Sequence, residues 1–213
     1  MQKYPRTYHL SFSAEVHSDD KVISMVHQRE IFDASFVITV KLDGGNCCIK
    51  PNSGVYARSH SQPTDHQSFD YIKNIHYYSK LHLLNPDYHY FGENMYAIHS
   101  IEYDELEDFL YIFNIFDTKS KEWLSWSEVV AESARCGFLV VPLLECDRDI
   151  EKCMLKSLSS KWLGGDAEGF VIRKSDRIAK DEFSSSVAKF VRANHIQTDE
   201  HWSRNWKIAT LLT

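Results

Sequence analysis

Lys41-Leu42-Asp43-Gly44-Gly45-Asn46 places an amine, a carboxylate and a flexible glycine turn within six residues. A lysine amine is a nucleophile only when neutral, and an unperturbed pKa near ~10.4 leaves it almost wholly protonated at neutral pH. Covalent chemistry at Lys41 therefore predicts surroundings that lower that value: neighbouring cations, desolvation or a bound divalent metal. Glycines 44 and 45 let the backbone approach a ligand closely. Alone, Lys-x-Asp-Gly is expected by chance in roughly one chain in twenty of this length. A solvated lysine beside an Asp-Gly β-turn explains the isolated tetrapeptide better.

The elements that must position such a lysine are legible in part. Phe36 to Asp43 alternates Phe36, Ile38, Val40 and Leu42 with Val37, Thr39, Lys41 and Asp43, a strand with one largely polar face. Cys47 to Lys50, the Pro51-Asn52-Ser53-Gly54 turn and Val55 to Arg58 read as a hairpin. The first 18 residues read as irregular, and Ser18 with Asp19 could cap a short helix through about Arg29. Residues 67–84 read as helix, with Phe69, Ile72, Ile75, Leu81 and Leu84 inward. Strands are predicted near 88–98, 109–117, 138–143, 168–174 and 186–192, helices near 127–136 and 149–162, and a short helical tail over the last twenty residues. Mixed elements without strict βαβ alternation predict an α+β fold with antiparallel sheet. No repeat, low-complexity tract or linker marks a boundary, so 1–213 is expected to be a single domain.

Other features follow in order: Arg58 ends the hairpin; Phe91-Gly92-Glu93 opens a strand; Tyr111-Ile112-Phe113-Asn114-Ile115-Phe116-Asp117 is an aromatic strand. Ala167-Glu168-Gly169-Phe170-Val171-Ile172-Arg173 and Val187-Ala188-Lys189-Phe190-Val191-Arg192 close the series. Together with the lysine motif they resemble the collinear motifs I, Ia, III, IIIa, IV and V of the covalent nucleotidyltransferase superfamily, over about residues 36 to 192. That superfamily holds ATP-dependent RNA and DNA ligases and mRNA capping enzymes. Asn46, the opening Lys3-Tyr4-Pro5-Arg6-Thr7-Tyr8-His9-Leu10 and the closing segment from Lys189 to Trp202 resemble its compact bacterial and phage RNA ligase group.

The resemblance implies antiparallel sheets flanking a nucleotide pocket, and an ATP-dependent RNA ligase. Lys41 would attack the α-phosphate of ATP to give lysyl-AMP, which passes to an RNA 5′-phosphate before a 3′-hydroxyl displaces it. It implies Asp43 and Glu168 as ligands of hydrated Mg²⁺ or Mn²⁺, Glu93 on the ribose hydroxyls, Arg58 on a phosphate and Lys189 on the triphosphate. Plainer alternatives are a surface carboxylate for Asp43 and for Glu168, and a strand-end salt bridge for Arg58 and Glu93. Phe113 matches the family's Phe-Asp-Ile pattern, with Asn114 in place of Asp, and is the expected adenine-stacking ring. Alternation predicts that Phe113 and Phe116 lie on opposite sheet faces. The last motif departs from the family's two lysines, because Val191 stands two places after Lys189. Arg192 is expected to face away from Lys189. Lys3, Arg6 and His9 either meet RNA ends or are solvated.

Composition sets outer bounds. Of 213 residues, 43% are hydrophobic and 25% charged, as in an ordinary folded domain, and no apolar run approaches a membrane span. A net charge of −6 argues against a chain that coats nucleic acid, while basic residues late in the chain permit a local polyanion site. Five cysteines, at 47, 48, 136, 146 and 153, without C-x-x-C spacing read as reduced cytosolic thiols. Adjacent Cys47 and Cys48 point to opposite faces. His60, His66, His76 and His82 read as solvated or core-edge groups, and Trp202 with Trp206 as a packed helical seam. The last motif lies about twenty residues before the end of the sequence, so no OB-fold domain is expected and grip on RNA would come from the catalytic domain, the termini or a repair partner protein. The rival readings are a DNA-joining or capping-type transferase and an RNA-end-binding module that holds ATP without turnover.

Overall fold

The structure, a computed structural model, describes residues 3–58, 61–144, 149–193 and 207–212. Its strands and helices run in the order β1 (Tyr8–His9), α1 (Met25–Asp33), β2 (Phe36–Lys41), β3 (Gly45–Lys50), β4 (Gly54–Ala57), β5 (Tyr88–Asn94), β6 (Leu110–Asp117), β7 (Glu122–Trp123) and α2 (Trp126–Arg135). They continue as β8 (Leu139–Val140), α3 (Ile150–Ser159), β9 (Lys161–Trp162), β10 (Gly165–Asp166), β11 (Gly169–Lys174), β12 (Ile178–Ala179), α4 (Phe183–Ser186) and β13 (Val187–Val191). One sheet has the order β1-β13-β11-β2; the other runs β12-β7-β6-β5-β3-β4, with β8 beside β6. Pairing is antiparallel except at β1 with β13 and β6 with β8, which gives the expected α+β fold.

The apolar alternation of residues 36–42 is realised as predicted: Ile38, Val40 and Leu42 are buried in the main core. The hairpin also forms, with Lys50 opposite Gly54 and Cys47 opposite Ala57. Cys47 enters the main core and Cys48 a second, aromatic cluster with Phe91, Phe116, Trp123 and Phe183. Helix α2 opens with a capping box in which Ser125 accepts from the Glu128 N–H and Glu128 accepts from the Ser125 N–H.

Several expectations are corrected. The early helix starts after Ser24, whose side chain accepts from the His27 N–H, so Ser18 and Asp19 do not cap it. Tyr8 and His9 are a strand rather than irregular chain, because β13 offers them a free edge. Residues 67–84 are not one α-helix: 3-10 turns at Gln67–Phe69 and Leu81–Leu83 flank a π-helix at Ile72–Tyr78. Ser79 N–H donates to the Asn74 carbonyl five residues back, and this wider winding buries Ile72 and His76 while leaving Ile75 exposed. His76, expected to be peripheral, is wholly buried with Nε2 2.8 Å from Asp108 Oδ1.

The strands predicted at 88–98 and 138–143 end at Asn94 and Val140, and the helix predicted to 162 stops at Ser159, ahead of β9 at Lys161–Trp162. The expected helical tail is contradicted over 207–212, where Ile208 and Leu211 form bridges with Ala97 and Leu106. Trp202, Trp206, His60 and Cys146 lie outside the described residues. Cys47, Cys48 and Cys136 are free and buried, whereas Cys153 is disulfide-bonded, against the expectation of five reduced thiols. Among the described residues no helix is long and apolar enough to cross a membrane.

Candidate active site between the two sheets

A cavity of about 860 Å³ lies between the sheets. The smaller sheet contributes Lys41 from β2, Val171 and Arg173 from β11 and Lys189 from β13; the larger contributes Asn46 from β3, Glu93 from β5 and Phe113 from β6. Arg58, just past β4, is exposed and borders it.

Lys41 is the last residue of β2, opposite Gly169. The Glu168 N–H donates to the Lys41 carbonyl (3.1 Å), and the Arg192 N–H donates to the Glu168 carbonyl (3.0 Å). This backbone clamp places the Glu168 carboxylate directly on the Lys41 ammonium, which donates to its Oε2. Gly169 has no room for a side chain, since a Cβ there would collide with the Phe190 carbonyl. A close approach is also required at Gly44, where a Cβ would lie 2.7 Å from the Asn94 carbonyl oxygen and 2.8 Å from Met95 Sδ.

Charge around Lys41 reverses one expectation. Burial disfavours its ammonium, but Glu168, Glu93 and Asp43 together outweigh burial and raise its pKa. The site as it stands therefore keeps the amine protonated. Glu93 is pushed up to about 7 by burial, with Glu168 and Asp43 adding to the rise and Lys41 opposing it. The Lys189 pKa is lowered by burial and by the Lys41 ammonium, and its closest described counterion is Asp20, 3.7 Å away.

Asp43 is not a free surface carboxylate. Its Oδ2 accepts from the N–H groups of Ser100 (2.7 Å) and Ile101 (2.9 Å), and its own N–H donates to the Tyr103 hydroxyl (3.0 Å). The side chain thus ties the glycine turn to the loop at residues 100–101. Among the described residues no group of three His, Cys, Asp or Glu side chains is arranged to hold a metal ion.

The expectation that Phe113 and Phe116 take opposite faces is contradicted. Phe91 pairs with Asn114 while Gly92 pairs with Ile112, so Phe113 is an extra residue at a β-bulge. A bulge breaks the two-residue alternation. Phe113 consequently packs against the same aromatic cluster as the buried Phe116, and also against the main core. Of the two, Phe113 lines the cavity.

Arg192 lies beyond β13 and away from the cavity lining, with Nη1 3.5 Å from Asp166 Oδ2. Lys3 is exposed, and Arg6 pairs with Asp19 near solvent. His9 is buried rather than solvated: Nδ1 lies 2.9 Å from Ser13 Oγ and Nε2 3.2 Å from Asp20 Oδ2. His66 borders the cavity with its ring on Ser68, 2.7 Å from the hydroxyl, while His82 is exposed.

Sequence reading missed three participants. Asp20 sits by Lys189, Tyr4 reaches the cavity from the N-terminal arm, and Arg173 is a buried guanidinium. Arg173 donates to Asn114 Oδ1 (2.8 Å) and to the Leu124 carbonyl (2.6 Å), and burial lowers its pKa to about 10. Its place on a β-strand among apolar residues was the available signal.

A strand-end lysine in a cleft between two mainly antiparallel sheets is in keeping with the fold implied by the superfamily resemblance; the clamp of Glu168 on Lys41 is added by the structure. Residues 34–191 match the family model described as RNA ligase, and the chain belongs to that family. No curated protein matches it in sequence. Among solved structures it is similar to the Naegleria gruberi RNA ligase. A lysine-to-alanine variant of that enzyme with ATP and Mn matches at TM-score 0.58 and 17% identity, over 92% of this chain and 59% of that one. A lysine-to-methionine variant with AMP and Mn matches at 0.55 and 19%, over 92% and 63%. The form with PPi matches at 0.54 and 17%, over 90% and 61%. This chain thus spans about three fifths of those chains, and the likeness concerns the fold.

Proposed function

We propose that this protein is an ATP-dependent RNA ligase that joins RNA 5′-phosphate and 3′-hydroxyl ends through lysyl-AMP on Lys41. The observation that carries the reading is the convergence of Lys41, Glu93 and Lys189 on one cavity, with Glu168 clamped to the Lys41 amine. A volume of about 860 Å³ suits a nucleotide-sized ligand. Phe113 and Val171 offer it apolar faces, Glu93 hydrogen-bond acceptors for ribose hydroxyls, and Arg58 and Lys189 charge for phosphates.

Lys41 must first lose a proton, and Glu168 Oε2, hydrogen-bonded to Nζ, is the atom placed to take it. Nζ then attacks the α-phosphorus; the N–P bond forms, the P–O bond to the β-phosphate breaks, and pyrophosphate carries away the electron pair. AMP passes to the RNA 5′-phosphate, and the 3′-hydroxyl displaces it. Positioning and charge stabilisation do most of this work.

For a divalent cation, a full cage of protein ligands does not fit the described residues. A hydrated Mg²⁺ or Mn²⁺ held through one or two carboxylates does. Glu168 would hold it, with Asp43 contributing Oδ1, because Oδ2 serves the loop amides. When bound, such an ion supplies positive charge that favours the neutral amine and offsets the phosphates.

The same reading makes 1–213 one nucleotidyltransferase domain, acting in the cytoplasm on RNA ends, with a repair partner protein as a further source of grip. Incubation with α-labelled ATP and Mg²⁺, followed by denaturing electrophoresis, should show a labelled protein, and Lys41→Ala should reduce the label to background. Equal labelling of the variant would sink the assignment. ATP binding without labelling would favour the RNA-end-binding module, which the single motif V lysine motivates. Pre-adenylated RNA should be sealed in preference to matched DNA, since the 2′-hydroxyl is what distinguishes them locally; preference for DNA would leave only the transferase class.

A further inference from the structure

Tyr4 belongs to none of the strands that form the pocket, yet it lines the cavity together with Phe113 and Val171. Its ring meets four others: Phe113 at 5.0 Å and 72°, Phe183 at 5.1 Å, Phe91 at 5.3 Å and Trp123 at 5.3 Å. The contact with Phe113 is edge-on, which holds that bulged ring in one orientation and leaves a face for stacking. Burial raises the pKa of the Tyr4 phenol, with Asn114, Arg173 and Thr7 opposing the rise. Asn114 on β6 accepts from Arg173 on β11, which ties the two sheets together next to this ring.

The root of the arm is fixed next to the other end of the pocket. Tyr8 and His9 pair with Ala188 and Lys189, and the Leu10 N–H donates to the Lys189 carbonyl (2.7 Å). Along β11, Val171 is opposite Thr39 and Gly169 opposite Lys41, so the Val171 position lies roughly 7 Å along the sheet from the nucleophile. An arm that contacts Lys189 by its backbone and Phe113 by Tyr4 therefore spans the phosphate and aromatic ends of one site.

We propose that Tyr4 is a wall of the base-binding end, its ring bounding the purine held there. This rests on the nucleotide reading of the cavity given above. Tyr4 is then a binding residue and not a plug that must leave.

The test uses the full chain in a Lys41→Ala background, where binding is read without adduct formation. The Kd for labelled ATP by equilibrium dialysis should rise about tenfold or more in Tyr4→Leu and stay within about twofold in Tyr4→Phe, because the ring is the contacting group. An unchanged Kd in Tyr4→Leu overturns the proposal, and tighter binding overturns it in favour of a plug. Photolabelling of the unsubstituted protein with 8-azido-ATP provides a readout that needs no Tyr4 variant to fold: label on the tryptic peptide Tyr4-Pro5-Arg6 supports the wall, and label confined to other peptides overturns it. Wild-type protein that binds ATP with these preferences but forms no adduct defeats the ligase reading and leaves the Tyr4 assignment standing. Absence of ATP binding defeats both.

Discussion

The two ends of the cavity are built on different principles. Around Lys41 the structure gathers ionisable groups that set one another's protonation: three carboxylates raise the lysine, and burial raises Glu93. Around Phe113 it gathers rings, with Arg173 as a buried cation held by neutral oxygens. The first end is organised by charge balance and the second by packing. A substitution at the first should change chemistry with little change in fold; at the second it should change binding and packing together.

The largest expected effect after loss of Lys41 itself is at Lys189. Lys189→Ala withdraws the half-buried ammonium that, in the proposed reaction, meets the triphosphate, and should slow self-adenylation by about 10²-fold, the usual scale for removing one transition-state charge donor. Single-turnover labelling at saturating ATP measures it, and a wild-type rate would detach β13 from the chemistry.

Asp43 is where the charged end is also structural. Asp43→Ala leaves the Ser100 and Ile101 amides without their acceptor and should cost about 1–3 kcal/mol in urea denaturation. Asp43→Asn retains an accepting oxygen and should recover most of that stability while still losing adenylation, in part restored by added Mg²⁺. Full activity of the Asn variant would leave Asp43 as an anchor alone.

Glu93 gives a pH signature. Its ordinary pKa of 4.5 applies unfolded and about 7 applies folded, so between these values the folded protein keeps a proton that the unfolded chain has lost. Stability is fully supported below the lower value and falls as pH rises through the window, by on the order of 1 kcal/mol per pH unit. Urea midpoints at pH 5 and pH 7.5 should differ less in Glu93→Gln than in wild type; equal differences would remove Glu93 from the coupled set.

The smallest effect concerns Arg192, outside the cavity lining and near Asp166. Arg192→Ala should leave self-adenylation within about twofold and slow only sealing, if its guanidinium meets the nucleic acid. Loss of adenylation would mean that the carbonyl of Glu168, bonded to the Arg192 N–H, responds to this side chain.

What residue types and order by themselves determined is the family motif order, the β2 strand with its buried face, the β3–β4 hairpin and the α+β class. These follow from side-chain alternation, turn chemistry and motif sequence, all of which act over short stretches of chain. The tertiary structure decided that Lys41 is held protonated, because two of its three carboxylates come from β5 and the residue before β11. It decided the bulge at Phe113, where a one-residue mismatch between two strands cancels an alternation that holds elsewhere. It decided the π-helix, where burial of His76 on Asp108 accompanies a wider turn than the helical period assumes. It also decided the place of Tyr4, carried across the cleft because β1 found an edge on β13. Each of these depends on contacts between residues far apart in the chain, and no local pattern encodes which strand edge, counterion or ring will be waiting.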